Sequence, residues 1–289
     1  MHHFTRFACF DWSGQAVARP KGIALAIAEA EGPPRLVAPP DGGWSRLDAL
    51  GWLHGVADRQ EAMLIGMDLS PAFAFADHDA YFPGWSDSPN DARALWALVD
   101  GHCGDDPHLS AMGFLRHLEA RRHFRQHRDC GDLYPAGAGR MRVCEWGQKA
   151  QGLSPYSCFN LVGAAQVGKS SLTAMRLFHR LDGAIPIWPF DPVPASGPMI
   201  VEIYTALAAM AAGRSKSRSK MRDGAALDAA LAALGSPAHI PLPRYDDHAT
   251  DALLTAAWLR AVHGREALWR PRALTPKIAR TEGWTFGVE

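Results

Sequence analysis

Three acidic residues end apolar runs in this chain, and an acidic pair opens another. Residues 6–10 (Arg-Phe-Ala-Cys-Phe) lead into Asp11, residues 63–67 (Met-Leu-Ile-Gly-Met) into Asp68, and residues 198–201 (Pro-Met-Ile-Val) into Glu202. Near the C-terminus, Asp247-His248-Ala-Thr-Asp251 begins a long apolar helix. A carboxylate at the end of a buried strand is costly unless something cationic neutralises it. Several of them converging on one point read most simply as a divalent-metal site, with Mg²⁺ or Mn²⁺ as the hard cations that suit oxygen ligands.

Asp251 is the sharpest case. With Leu254, Trp258 and Ala261 it follows i, i+3, i+7 and i+10 spacing, which sets it on the core-facing stripe of its helix. His248 and Asp247 lie three and four residues before it and share that face. Asp246 and Asp247 equally suit helix capping and the positive helix end. Asp11, before Trp-Ser-Gly, and Asp68, before Leu-Ser-Pro, would each also suit a turn. Glu202 inside Met-Ile-Val-Glu-Ile-Tyr is harder to explain that way, because strands seldom carry a lone buried acid.

A second motif competes. Gly163-Ala-Ala-Gln-Val-Gly168-Lys169-Ser170 matches the phosphate-loop pattern, in which backbone amides cradle phosphates, the lysine reaches them and the serine binds Mg²⁺. It defines an alternative, an ATP- or GTP-binding protein. The apolar run before it is short and broken by Asn160, and the obvious apolar strand ending in Asp lies upstream rather than after it. A third class is non-catalytic: a binding module stabilised by a structural cation. The basic segment 214–222, with Arg214 and Lys216, alternates cations with serine and suits either a nucleic-acid backbone or a solvated loop. His123, His127, Cys130 and Cys144 have a spacing that zinc can use, although histidine-rich polar surface explains them as well.

The elements that must position these residues follow from periodicity. Strands are expected over residues 7–12, 22–29 and 35–38, joined by short turns as an antiparallel meander, with a helix over 44–57 and a fully apolar strand over 62–68. From residue 72 to 151 histidine, arginine, proline and aromatics dominate, and two helices are expected, over 91–102 and 108–126. This stretch reads as an insertion or cap between two halves of a core, residues 1–71 and 152–289. In the second half, helices are expected over 172–181, 205–212, 225–234 and 247–263, with extended chain over 185–190 and 199–204. The result is an α/β protein with a sheet of mixed direction. Its first and fourth strands would lie side by side and parallel, bringing Asp11 and Asp68 within reach of one cation.

Bulk properties set the frame. Thirty basic and thirty acidic residues in 289 give a formal charge of zero, so any nucleic acid must be bound by a local patch rather than a global field. Five irregularly spaced cysteines suggest a reducing compartment. No apolar run approaches the ~18–20 residues that span a bilayer, and the N-terminus lacks a signal-peptide layout, so a cytoplasmic protein with no membrane partner is expected.

Phe-Asp11-Trp-Ser-Gly, Ile-Gly-Met-Asp68-Leu-Ser-Pro, Ile-Val-Glu202-Ile-Tyr and Asp247-His-Ala-Thr-Asp251-Ala-Leu together resemble an uncharacterised family of predicted nucleases with a ribonuclease-H-like fold, a domain of unknown function. Ile187-Trp-Pro-Phe190 and Glu282-Gly-Trp-Thr-Phe-Gly287 are similar to that family too, and the closing His-x-x-Asp helix is similar to Holliday-junction resolvases of the same superfamily. The resemblance covers both ends and the middle but not residues 72–151. It implies a five-stranded mixed sheet and two-metal hydrolysis of a phosphodiester in DNA or RNA. Asp11, Asp68, Glu202 and Asp251 would hold the ions, with Asp247 beside them. His248 would orient water or move a proton, and Lys169 would contact a phosphate, with Ser170, Arg214 and Lys216 as further substrate contacts.

Overall fold

The apolar runs become the strands of one sheet, and the helices cover its two faces. In chain order the computed structural model has β1 (Arg6–Asp11), β2 (Ala24–Glu29), β3 (Arg35–Leu36), α1 (Arg46–Asp58) and β4 (Met63–Asp68). Then follow α2 (Ala92–Gly101), α3 (Met112–Arg116), α4 (Leu118–Arg121), a small hairpin of β5 (Arg125–Gln126) and β6 (Asp129–Cys130), and α5 (Val143–Ala150). The remainder is α6 (Val167–Leu181), β7 (Ile187–Trp188), β8 (Met199–Glu202), α7 (Thr205–Ala211), α8 (Gly224–Ala233), α9 (Asp247–Val262), α10 (Glu266–Trp269) and α11 (Pro276–Thr281). Residues 3–126, 129–163, 166–214 and 220–289 are described.

The main sheet has six strands in the order β3-β2-β1-β4-β8-β7. β1 to β3 form an antiparallel meander, while β1, β4, β8 and β7 run parallel. The sequence led us to expect five strands. The sixth is the pair Ile187–Trp188, which joins the edge beside Ile200 and Val201 and is too short to carry a periodic signal.

Side-chain alternation divides the core. Ala8, Phe10, Ile65, Met67 and Ile200 meet Leu53 and Val56 of α1 and Leu172 and Met175 of α6. Phe7, Cys9, Leu64, Met199 and Val201 face the opposite way, among Leu253, Leu254 and Trp258 of α9. This is the period-two geometry of strands buried on both faces. Phe73, Phe82, Phe114 and Phe124, from the region that reads as an insertion, lie in the first of these clusters together with α1 and α6. Gly66 lets the second layer come close: a Cβ there would stand 2.8 Å from Leu259 Cδ1 and 3.1 Å from Ile203 Cγ2. No helix among the described residues is long and apolar enough to cross a membrane.

Three element boundaries differ from expectation. The helix expected over 108–126 is broken, because His108 and Leu109 have positive φ (58° and 53°) and His117 is extended, so only the short α3 and α4 form before the β5–β6 hairpin. α5 is an additional helix whose first turn is tied by Glu145 Oε2 accepting from the Arg142 backbone N–H at 2.9 Å. α6 begins at Val167, five residues earlier than expected, and takes Gly168, Lys169 and Ser170 into its first turn.

Candidate active site

Strand register sets the site. β1 and β4 are parallel neighbours with Asp11 directly opposite Asp68 at their carboxyl ends. Asp251 comes from the second turn of α9, which packs across β1 and β2. α9 is started by Asp246, whose Oδ1 accepts from the Ala249 N–H at 3.0 Å, so Asp246 is the helix cap. His248, one residue inside the helix, brings Nδ1 to 2.9 Å from Asp11 Oδ2.

The electrostatics of these carboxylates are those of groups short of positive charge. Burial pushes the Asp68 carboxyl well above its ordinary value, and the charges of Asp11 and Asp251 push it further. Asp251 is raised to about 7, first by burial, then by Asp11 and Asp247. Asp11 is raised by burial, opposed by its hydrogen bond from His248, and that bond in turn raises the His248 imidazole. Among the described residues neither Asp68 nor Asp251 forms an ion pair, and Asp11 has only His248. Thr205 Oγ1 reaches Asp68 Oδ2 at 3.4 Å, a weak neutral contact.

Glu202 lies one strand further, in register with Met67, and has a different environment. Its Oε1 and Oε2 accept from Arg142 Nη2 and Nη1 at 2.5 and 2.8 Å, and Thr285 Oγ1 donates to Oε1 at 2.6 Å. Arg142 is 1% exposed and uses its remaining donors on Glu145, Ser70 Oγ and the Glu282 carbonyl. Unlike Asp68 and Asp251, Glu202, expected as a fourth metal ligand, is met by a buried bidentate guanidinium. Asp247, also expected as a ligand, is ion-paired as well. Lys220 Nζ stands 2.7 Å from its Oδ2 and Arg222 Nη2 stands 3.4 Å from its Oδ1.

A cavity of about 370 Å³ opens beside the acids. Asp68, Glu202, His248, Lys169 and Ser170 all line it, so the first turn of α6 forms one wall. That wall is held against the loop after β1: a Cβ on Gly14 would stand 2.2 Å from the Lys169 carbonyl carbon. Lys169 Nζ donates to Gln166 Oε1 at 2.8 Å. The phosphate-loop reading gains little, because among the described residues no strand of the main sheet leads into Gly163, and the preceding chain makes only a bridge from Asn160 to Arg125. Arg214 lies apart from the cavity, with Nη1 and Nη2 each 3.5 Å from the carbonyls of Ala226 and Lys220. Lys216 falls outside the described residues, as does His127. Of the zinc-like set, Cys144 is buried, Cys130 is exposed and His123 packs against Phe82, so the three do not share a site.

Sequence reasoning missed Arg142, Glu145, Tyr156 and Tyr204, all of which line the cavity. For Arg142 one signal existed: a cation three residues before an acid in a segment otherwise starting an apolar helix is an i, i+3 pair. Its long-range partner, Glu202, sits sixty residues away and leaves no local trace.

Among the described residues, no group of three His, Cys, Asp or Glu side chains stands in the arrangement of an assembled metal site. The donor set nonetheless suits a hard divalent cation: carboxylate oxygens at adjoining strand ends, mutually repelling and without lysine or arginine partners. No family model, curated protein or solved structure matches the chain.

Proposed function

We propose that this protein is a divalent-metal-dependent phosphodiesterase, a nuclease built on a ribonuclease-H-like sheet, with Asp11, Asp68 and Asp251 holding Mg²⁺ or Mn²⁺. The observation that carries this reading is the set of three buried carboxylates at the ends of β1 and β4 and on α9, all raised, with Asp11 raising both Asp68 and Asp251, and with no lysine or arginine partner among the described residues. A bound cation would supply Lewis-acid activation of water and neutralise charge developing on the phosphate. The protein's own groups do the rest. With Nδ1–H donating to Asp11 Oδ2, His248 keeps Nε2 available to accept or return a proton, and its side chain is half exposed at the cavity edge. Lys169, on the opposite wall, supplies a point charge for a non-bridging phosphate oxygen. Glu202 acts at one remove, with Arg142, by fixing the end of β8 and the cavity floor.

The test is cleavage of labelled single- and double-stranded DNA and RNA with Mn²⁺, Mg²⁺ or EDTA. The wild type should cleave with metal only, and Asp68→Asn should lose at least ~10³-fold, as expected when a group that organises the transition state is removed. Wild-type protein inert on every substrate, together with ATP binding lost in Lys169→Ala, would replace this reading by the nucleotide-binding one. Inertness with Mn²⁺ still raising thermal stability would leave a structural-cation module.

A further inference from the structure

We infer that the cavity beside the carboxylates receives one unpaired nucleotide, so that the substrate is presented as a single strand or frayed end and not as intact duplex. This rests on the phosphodiesterase reading and specifies its substrate. At about 370 Å³ the cavity is at the small end of clefts that enclose a compact organic ligand. A base with its sugar is of that order, whereas a base pair carrying two backbones is not.

The lining matches a nucleotide in kind as well as in size. Tyr156 and Tyr204 line the cavity together with Asp68 and His248. Tyr156 is 54% exposed, one of few large rings this chain leaves in solvent, and a ring open at a cavity mouth is a stacking platform. Glu145 and Gln148, both buried, complete the lining, held by Arg142 and by Thr285 Oγ1. Lys169 and Lys21 also line the cavity and supply cations for a backbone phosphate. Of the three carboxylates Asp68 lines the cavity, so a base held there would leave its phosphate beside Asp68.

One wall of the slot is tied down by its packing. Gly14 is packed on the backbone of Lys169 and Ser170, and the fully buried Arg46 donates to the carbonyls of Ser13 and Gln15 at 3.0 Å each and to that of His108 at 2.7 Å. Widening it to admit a duplex would break these contacts. Preformed walls favour a ligand that arrives already unpaired, because extruding a base from a duplex adds its unstacking cost.

Binding, read apart from cleavage, tests this. Fluorescence anisotropy of dye-labelled single-stranded thymidine and uridine oligonucleotides and of a blunt duplex would be measured in Ca²⁺ with Asp68→Asn, and with the same protein carrying Tyr156→Ala or Tyr156→Phe. Single strands should bind at least ~10-fold tighter than the duplex. Tyr156→Ala should weaken them by roughly 5- to 100-fold, and Tyr156→Phe should restore most of the affinity. Duplex bound as tightly as single strand, or no loss in Tyr156→Ala, overturns the inference even where the wild type proves to be a nuclease. Tyr156-dependent single-strand binding by a protein that cleaves nothing keeps the slot and removes the phosphodiesterase reading.

Discussion

Two clusters of acids stand one strand apart in this sheet and have opposite characters. Asp11 and Asp68 end β1 and β4 and, among the described residues, meet Asp251 without a guanidinium or ammonium partner. Glu202 ends β8 and, with Glu145, is clasped by Arg142. In sequence they look the same, an apolar run followed by an acid. What differs is whether the rest of the chain delivers a buried cation. Arg142 arrives from the region between the two halves of the sheet, so that region completes the second cluster and leaves the first one open. An acid cluster that is paired internally holds the structure together, and one that is left repelling stores a demand for a ligand from outside.

The largest effect should come from breaking the paired cluster. Arg142→Met removes the cation and leaves Glu202 and Glu145 buried together, and we expect a loss of ~3–5 kcal/mol in chemical denaturation. Replacing all three by apolar residues of similar volume should recover much of it, because the desolvation cost of the ions disappears too. A loss under ~1 kcal/mol in Arg142→Met would mean that the two clusters do not differ as argued.

The open cluster should show itself through pH. All three of its carboxyls are raised in the folded protein, so the native state binds more protons than the unfolded chain. Stability contributed this way is fully present below the unfolded carboxyl pKa and is lost as pH rises through the folded values, about 7 for Asp251. In EDTA the protein should therefore lose up to ~4 kcal/mol between about pH 4 and about pH 8, and saturating Mn²⁺ should flatten the loss. His123 has the opposite sign. Burial holds its imidazole down to about 4, which costs stability as pH falls below the ordinary histidine value. Subtracting the profile of Asp68→Asn isolates the contribution of Asp68 and its coupling to Asp11 and Asp251, and a difference profile with no pH dependence would contradict the open cluster.

Next in size is Asp68→Asn itself. Removing one of three repelling charges should stabilise the metal-free protein by ~1–2 kcal/mol while abolishing the metal-induced rise in Tm. A substitution that stabilises and inactivates is the signature of a site held at the expense of the fold. Destabilisation in EDTA would instead place Asp68 with Glu202 as a structural acid.

How much of this was legible beforehand depends on range. The strands carrying Asp11, Asp68 and Glu202 follow from unbroken apolar runs, and Asp251 from helical spacing, because both signals lie within a few residues. The mixed sheet with β1 beside β4 follows from the meander and the helix between them. The paired state of Glu202 does not follow, since Arg142, Thr285 and Ser70 come from separate parts of the chain. The break at His108–Leu109 was hidden as well, because leucine rarely takes positive φ and a single histidine marks such a position only weakly. Tyr156 has neither period nor motif, and its place at the cavity mouth is set wholly by tertiary packing.

The smallest expected effect bears on the boundary between the clusters. Asp247 shares the acidic sequence around His248 but is ion-paired with Lys220 and Arg222, both of them mostly exposed. Exposed pairs contribute little, so Asp247→Asn should change stability by no more than ~0.5 kcal/mol. Its charge also helps raise Asp251, so the substitution should lower the Asp251 pKa and leave Mn²⁺ affinity within ~10-fold of wild type. A calorimetric titration giving a loss nearer 10²-fold would make Asp247 a ligand whose basic partners are displaced on binding. The open cluster would then include the first turn of α9, and the distinction drawn here would rest on which cations can leave, not on which are present.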